Sequence, residues 1–434
     1  MILFTHTITS RFQYISDFIG KEIFSSAFQI ITDKEIFKQS SESKLNYSNE
    51  RITEDEFWIK PHSLLFEEDV KQQSIECFNT IEQKAFFKTE GDLPFDIFAA
   101  SFYLLSRYEE YLPHQKDMYG RYAYENSLAF KENFLHLPLI NIWLSNFEKT
   151  LREKFPQFTI HHSPFTFLPT YDIDIAYSYR SKSFIRNAGG ILKSMVNGQL
   201  PMIGERIKVL RGKMKDPYDS YEWMDKLHEQ YNLQPRYFFL IPYKNSIYDK
   251  NILPDKKDLQ QLIKQHAGKY TVGIHPSWQS GDDPFLIKKE IETLENISGK
   301  KINSSRQHYI RFTLPQTFRY LIDAGIKEDF SMGYGSINGF RASVASPFYW
   351  YDLEKDKATD LLLYPFCYME ANSFYEQKFS TEQSLREMIQ YYTIVRSVNG
   401  TFISIWHNNF LGTDKLFKGW KEVYQEFIKT VENP

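Results

Sequence analysis

Cysteine is nearly absent from this chain: Cys77 and Cys367 are the only two in 434 residues. Far apart and without companion spacing, they exclude a disulfide framework and a zinc–thiolate centre. Neither sign of charge is in excess. Lys and Arg number 52 against 55 Asp and Glu, a net of −3 with no basic block, which argues against nucleic acid as the main partner. No apolar run reaches the roughly 18 residues that a membrane-spanning helix needs, so no transmembrane segment is expected. The N-terminal Met1-Ile-Leu-Phe-Thr-His-Thr-Ile-Thr-Ser-Arg11 lacks a basic leader, a sustained apolar core and a small-residue cleavage site. It does not read as a signal peptide, and the expected location is cytoplasmic. No G-x-S-x-G nucleophile elbow occurs. Gly333-Tyr-Gly-Ser-Ile-Asn-Gly339 misses the dinucleotide fingerprint by one position and opens no helix.

Aromatic side chains are what the chain has in abundance, with 37 Phe, 29 Tyr and 7 Trp making 17%. They can offer stacking platforms but mostly fill cores. The length suggests two units, each large enough for a core of its own. Residues 1–160 read as a smaller α+β unit. Ile8–Phe24, Asp96–Tyr111 and Leu139–Lys154 read as helices, the second capped by Asp96 and stopped by Pro113. The Arg107, Glu109, Glu110 cluster reads as a solvated helix face or a contact between units. No chemistry is evident before residue 160, so this unit is expected to pack on the second or shape the approach to it.

From 161 to 434 apolar strands alternate with helices. Strands are expected at Phe165–Tyr171, Tyr237–Pro242, Tyr270–His275, Ile302–Gln307, Phe330–Met332, Gly339–Ala342, Leu361–Cys367 and Thr401–Trp406. Helices are expected at Tyr221–Tyr231, Asp258–Ala267, Pro284–Ile297, Pro315–Ala324 and Thr381–Val398. Such alternation implies parallel βα units and, at this size, an irregular (β/α) barrel in an α/β fold. The link from Asp174 to Tyr237 is over-long and glycine-rich, which predicts an inserted excursion such as a lid.

At Phe167-Leu-Pro-Thr-Tyr-Asp-Ile-Asp-Ile-Ala-Tyr177 an apolar run climbs into two carboxylates. Side chains at i and i+2 of a strand share a face, so Asp172 and Asp174 enter one small volume. One of them would titrate high unless a cation or an arginine neutralises it. A strand that merely ends in acidic loop residues would read the same. His275, His308 and His407, however, each sit just beyond an apolar strand. In a barrel of parallel strands those C-terminal ends converge on one rim. Together these residues supply N and O ligands for a divalent metal with an open position, plus a base and an acid, as a metal-dependent hydrolase requires.

The same residues resemble the motifs of the polysaccharide deacetylases (carbohydrate esterase family 4-like), in a variant with an extra N-terminal domain. The likeness spans roughly residues 165 to 425. Thr170-Tyr-Asp-Ile-Asp174 is similar to the family's Thr-Phe-Asp-Asp, with Ile173 shifting the spacing by one. Thr271-Val-Gly-Ile-His275-Pro276 resembles His-[Ser/Thr]-x-x-His-Pro, with Thr271 replacing the first histidine. Gly339-Phe-Arg-Ala-Ser343 resembles the arginine motif with Ser343 in place of proline, and Ile405-Trp-His407 resembles Leu-x-His. The resemblance implies that Asp172 is the general base, that Asp174 and His275 bind a divalent metal, zinc first among candidates, and that Arg341 pairs with Asp172. His407 would be the general acid. Thr271 leaves the metal one ligand short, and His308, at the end of the next strand, is the expected substitute.

The implied activity is removal of an N-acetyl or O-acetyl group from an acetylated sugar or glycan by metal-activated water. The oxyanion would meet a backbone N–H near Tyr177 or Ser178. Trp278, Tyr334 and Trp406 are candidate walls for a sugar ring and equally candidate core residues. Two rivals stand beside this reading. One is a catalytically inactive deacetylase-like protein that binds a glycan or serves as a scaffold, which Thr271 would favour. The other is an unrelated metal-dependent amidohydrolase or phosphoesterase using the same rim.

Overall fold

The computed structural model describes residues 1–80, 83–157 and 163–432. The N-terminal part is organised on a four-stranded parallel sheet. Its strands are β1 (Ile2–Phe4), β2 (Gln29–Ile31), β3 (Lys44–Tyr47) and β4 (Phe57–Ile59), in the order β2-β1-β3-β4. A small antiparallel pair, β5 (Phe78–Asn79) and β6 (Lys84–Ala85), follows. The helix Ile97–Leu105 is buried on every side, and the Asp96 carboxylate accepts from the Phe98 and Ala99 N–H groups at 3.0 Å to cap it. It is shorter than expected because Arg107 adopts a left-handed conformation (φ 54°, ψ 43°), which ends the helix before a single turn at Tyr108–Tyr111. The first helix, Ser10–Asp17, continues as a π-turn over Phe18–Ile23. Leu139–Lys154 is helical as expected.

The remainder is a mixed α/β structure on a nine-stranded sheet. Its strands are β7 (Thr166–Ile173), β8 (Arg236–Leu240), β9 (Thr271–His275), β10 (Ser304–Ser305), β11 (Glu328–Asp329), β12 (Phe348–Asp352), β13 (Lys357–Leu363), β14 (Tyr368–Met369) and β15 (Thr401–His407). The order is β12-β13-β11-β10-β9-β8-β7-β15-β14, parallel throughout except for the antiparallel pair β12–β13. Among the described residues no ladder joins the two edges, so the expected barrel is not closed by hydrogen bonds. Gly339–Ala342, expected as a strand, is instead a turn. Its N–H groups are drawn elsewhere, with Gly339 donating to Cys367 O at 2.9 Å and Phe340 to Leu135 O at 2.8 Å. β12 was not anticipated. It docks on the first helix, where Tyr14 donates to Tyr349 O at 2.7 Å.

The excursion after β7 folds as two helices, Phe184–Val196 and Leu200–Leu210. The expected division at 160/161 lies outside the described residues. On either side of it the apolar core runs on without a break, from Leu3 to Val431. Two ion pairs cross the same contact, Arg11 to Asp356 at 2.8 Å and Arg341 to Glu110 at 2.5 Å. The Arg107–Glu110 cluster is therefore buried, and a contact rather than a solvated face. No described helix is long and apolar enough to cross a membrane.

Candidate metal centre and active site

Parallel register brings the rim together. Asp172 of β7 stands opposite His407 of β15, and His275 closes β9 opposite Leu240 of β8. Asp174, one residue past β7, lies on the same side as Asp172 by strand alternation. His275 Nε2 is 3.1 Å from Asp174 Oδ1 and 3.9 Å from Asp172 Oδ2. His308 Nε2 and His407 Nε2 each lie 3.5 Å from Asp174 Oδ2. One donor atom each from Asp174, His275 and His308 falls within 4.8 Å of the others, a spacing that suits one cation.

The outward nitrogen of every ring is tied down. His275 Nδ1 donates to Arg306 O at 2.6 Å, and His308 Nδ1 to Asp249 Oδ1 at 3.0 Å. His407 Nδ1 donates to Glu370 Oε1 at 2.7 Å. With Nδ1 donating outward, the Nε2 atoms of His275 and His308 are the ones turned to Asp174, the atoms a cation would take as ligands. Asp174 Oδ1 is buried and has no hydrogen-bond partner. A buried carboxylate oxygen without a partner, set among imidazole nitrogens, is a costly arrangement without a cation and a good one with it. The residues therefore fit a divalent metal.

Electrostatics follow from burial and neighbours. Burial opposes charge on Asp174, yet His308 and His407 beside it hold its carboxyl well below the usual range. Burial likewise works against protonated His308 and His407. Asp174 with Asp249 pushes His308 up to about 9, and Glu370 with Asp174 pushes His407 up to about 10.

Of the expected site residues, Asp172, Asp174, His275, His308 and His407 meet here and Arg341 does not. Arg341 forks onto Glu110, at 2.8 and 2.5 Å, and donates to Gly333 O. The guanidinium beside Asp172 belongs to Arg306, which is fully buried and donates to Asp172 Oδ1 at 3.0 Å and Thr170 Oγ1 at 2.8 Å. Thr271 needs correction too. It opens β9 while His275 ends it, about 13 Å of strand away, so no ligand has been lost at Thr271. Ser178 N–H donates to Asp216 at 2.7 Å and is already occupied. Tyr334 and Trp406 are core residues at 2% and 0% exposure, and Trp278 stacks behind Tyr248 at 3.9 Å.

Sequence reasoning assigned no role to Arg306, Asp249 and Glu370. Glu370 had a signal of sorts, a charged residue just past the apolar β14, and Arg306 lay inside an expected strand two residues before His308. Asp249 lies in a loop with none.

The cavity over these residues has a volume of about 410 Å³ and is walled by Tyr248, Tyr309, Tyr375 and Phe410, a size suited to a small ligand. Tyr119 and Arg121 of the N-terminal part complete it. Arg121 Nη1 donates to Tyr309 O at 2.8 Å, and the Tyr119 and Tyr309 rings lie 5.3 Å apart. Tyr309 and Ile310 have positive φ, 60° and 55°, a strained conformation for a β-branched residue that its surroundings must enforce.

Residues 1–156 match a family of unknown function (DUF7033). No curated protein matches the chain. Solved structures similar to it include a candidate polysaccharide deacetylase from Mycobacterium smegmatis, 13% identical with a TM-score of 0.41, covering 63% of this chain and 86% of that one. Another is a polysaccharide deacetylase from Bacillus cereus, 11% identical with a TM-score of 0.30, covering 62% and 88%. A third is a mutant CE4-family pseudoenzyme with restored enzymatic activity, 8% identical with a TM-score of 0.32, covering 62% and 63%. Overlaps this loose leave the chemistry to be read from the site.

Proposed function

We propose that this chain is a metal-dependent carbohydrate deacetylase, with Asp174, His275 and His308 as ligands of a divalent cation, zinc first among candidates. The observation that carries the reading is the convergence of one carboxylate and two correctly tied imidazoles on a single point, beside a second buried carboxylate and a third histidine. A divalent cation held there supplies an acidified water and an electrophile for the developing oxyanion.

The chain's own residues do the rest. Arg306 holds the Asp172 carboxylate in place, so that Asp172 takes a proton from the attacking water. His407, charged because Glu370 and Asp174 face it, delivers a proton from Nε2 to the departing sugar nitrogen as the acetyl C–N bond breaks. Acetate and the free amine leave. The tyrosine walls exclude water and offer ring faces to a sugar.

The test is metal analysis together with deacetylation of N-acetylated glycans by the purified protein. Asp172→Asn should retain metal and lose turnover by on the order of 10²–10⁴-fold, whereas Asp174→Asn and His275→Ala should lose the metal. Full turnover in Asp172→Asn would remove the assigned base, and a wild-type protein that takes up no stoichiometric metal would remove the hydrolase.

A further inference from the structure

The two helices inserted after β7 are amphipathic the wrong way round. Toward the protein they bury polar groups: Asn187 and Ser194 are 7% and 5% exposed. The Arg206 guanidinium lies 4.5 Å over the Tyr179 ring and donates to Asn187 O at 3.2 Å. Toward solvent they turn Ile185, Leu192, Met195, Val196, Leu200 and Leu210, each between 47% and 82% exposed. On the first helix these fall at i, i+7, i+10 and i+11, one continuous stripe. Nine of the twenty exposed large hydrophobic side chains among the described residues lie between positions 185 and 214. Isolated apolar side chains are ordinary on a protein surface, but a contiguous patch marks a site of contact.

Charge identifies the partner. Residues 180–215 hold nine Lys and Arg against a single acidic residue, Glu205, in a chain whose total is −3. Of these, Arg186, Lys193, Arg206 and Lys208 lie on the hairpin and Arg211 and Lys213 just beyond it, while Arg180 pairs with Asp258 and Lys215 with Asp219. Lys193, Lys208, Arg211 and Lys213 are exposed, and none makes an ion pair among the described residues. The stripe of Ile, Leu, Met and Val contains neither Trp nor Tyr, the side chains that dominate protein–protein contacts. An aliphatic face flanked by unpaired cations is the pattern of an interfacial helix on a charged lipid surface.

We propose that the hairpin Phe184–Leu210 docks this protein on an anionic lipid bilayer, lying in the headgroup layer with its aliphatic stripe turned to the acyl chains. Arg186 ties the hairpin to the neighbouring loop, donating to Lys250 O at 2.9 Å and Asn245 Oδ1 at 3.1 Å. That loop contributes Tyr248 and Lys250 to the cavity wall and Asp249 to His308, which links the hairpin to the site. Docking does not depend on the deacetylase reading.

Flotation of the full chain with phosphatidylcholine vesicles, with and without phosphatidylglycerol, tests it. The wild type should float with the phosphatidylglycerol vesicles and be released as salt rises. Leu192→Ser/Val196→Ser and Lys193→Glu/Lys208→Glu/Arg211→Glu should each weaken binding at least about tenfold, with circular dichroism and thermal melting unchanged. Three results would overturn the proposal: wild type left at the bottom of the gradient, variants that float equally well, or sedimentation velocity showing that the wild type self-associates through Leu192 and Val196.

Discussion

His407 sets the pH dependence of the proposed reaction. Burial alone would keep its imidazole neutral, but the carboxylates of Glu370 and Asp174 push it up to about 10. A general acid works only while protonated, so activity should fall as pH rises through its value. Removing Glu370 removes the largest raising influence. Glu370→Gln should therefore move the alkaline limb of the kcat/KM profile to lower pH, by about one to three pH units. An unmoved limb would show that another group limits the rate at high pH. The two buried arginines make a matched contrast. Arg306→Met should cost turnover on the order of 10²-fold with metal content preserved, because it releases Asp172. Arg341→Met should leave the folded protein turning over but lower its stability by about 3 kcal/mol, because Glu110 loses its two-pronged partner and keeps only Arg107 in the core. Kinetics and denaturant titration on both variants separate the roles.

At the scale of elements, the turn that carries His308 is held from outside. Tyr309 and Ile310 keep left-handed φ while Arg121, from the other side of the molecule, binds the Tyr309 carbonyl and is itself fixed by Asp117 at 2.6 Å. Without that bond the turn is free to relax and swing His308 from its partners. Arg121→Ala should thus lower kcat/KM and metal affinity together, each by about tenfold, with little change in melting temperature. Isothermal titration with zinc alongside steady-state kinetics checks this, and an affinity equal to wild type would reduce Arg121 to a cavity wall.

At the scale of the whole molecule, the two parts of the chain are joined by buried charge as well as by apolar surface. Burial alone would raise Glu110, but Arg341 and Arg107 hold it down to about 2. A carboxylate held low adds stability that is complete above its unfolded value of about 4.3 and fades as pH falls toward 2. Glu110→Gln should therefore be destabilised at neutral pH and lose less than the wild type between pH 5 and 3, as read from thermal melts across that range.

Strand periodicity and the sense of a parallel sheet are local properties, and they suffice to bring Asp172, Asp174, His275, His308 and His407 toward one rim. The apolar runs of β7, β9 and β15 and the helix Leu139–Lys154 were legible for the same reason: each is written in its own neighbours. Which arginine meets Asp172 is a different kind of question. Nothing in the neighbours of Arg306 and Arg341 separates them, and only the folded chain sends Arg341 to Glu110 and Arg306 to the base. The same holds for Asp249 and Glu370, whose partners lie 59 and 37 residues away, and for Gly339 and Phe340, whose N–H groups go to Cys367 and Leu135 rather than to a strand ladder. A side chain's neighbours in sequence determine the element it lies on. Its partner across the core is chosen by desolvation and fit among elements distant in the chain, which only the folded molecule brings together.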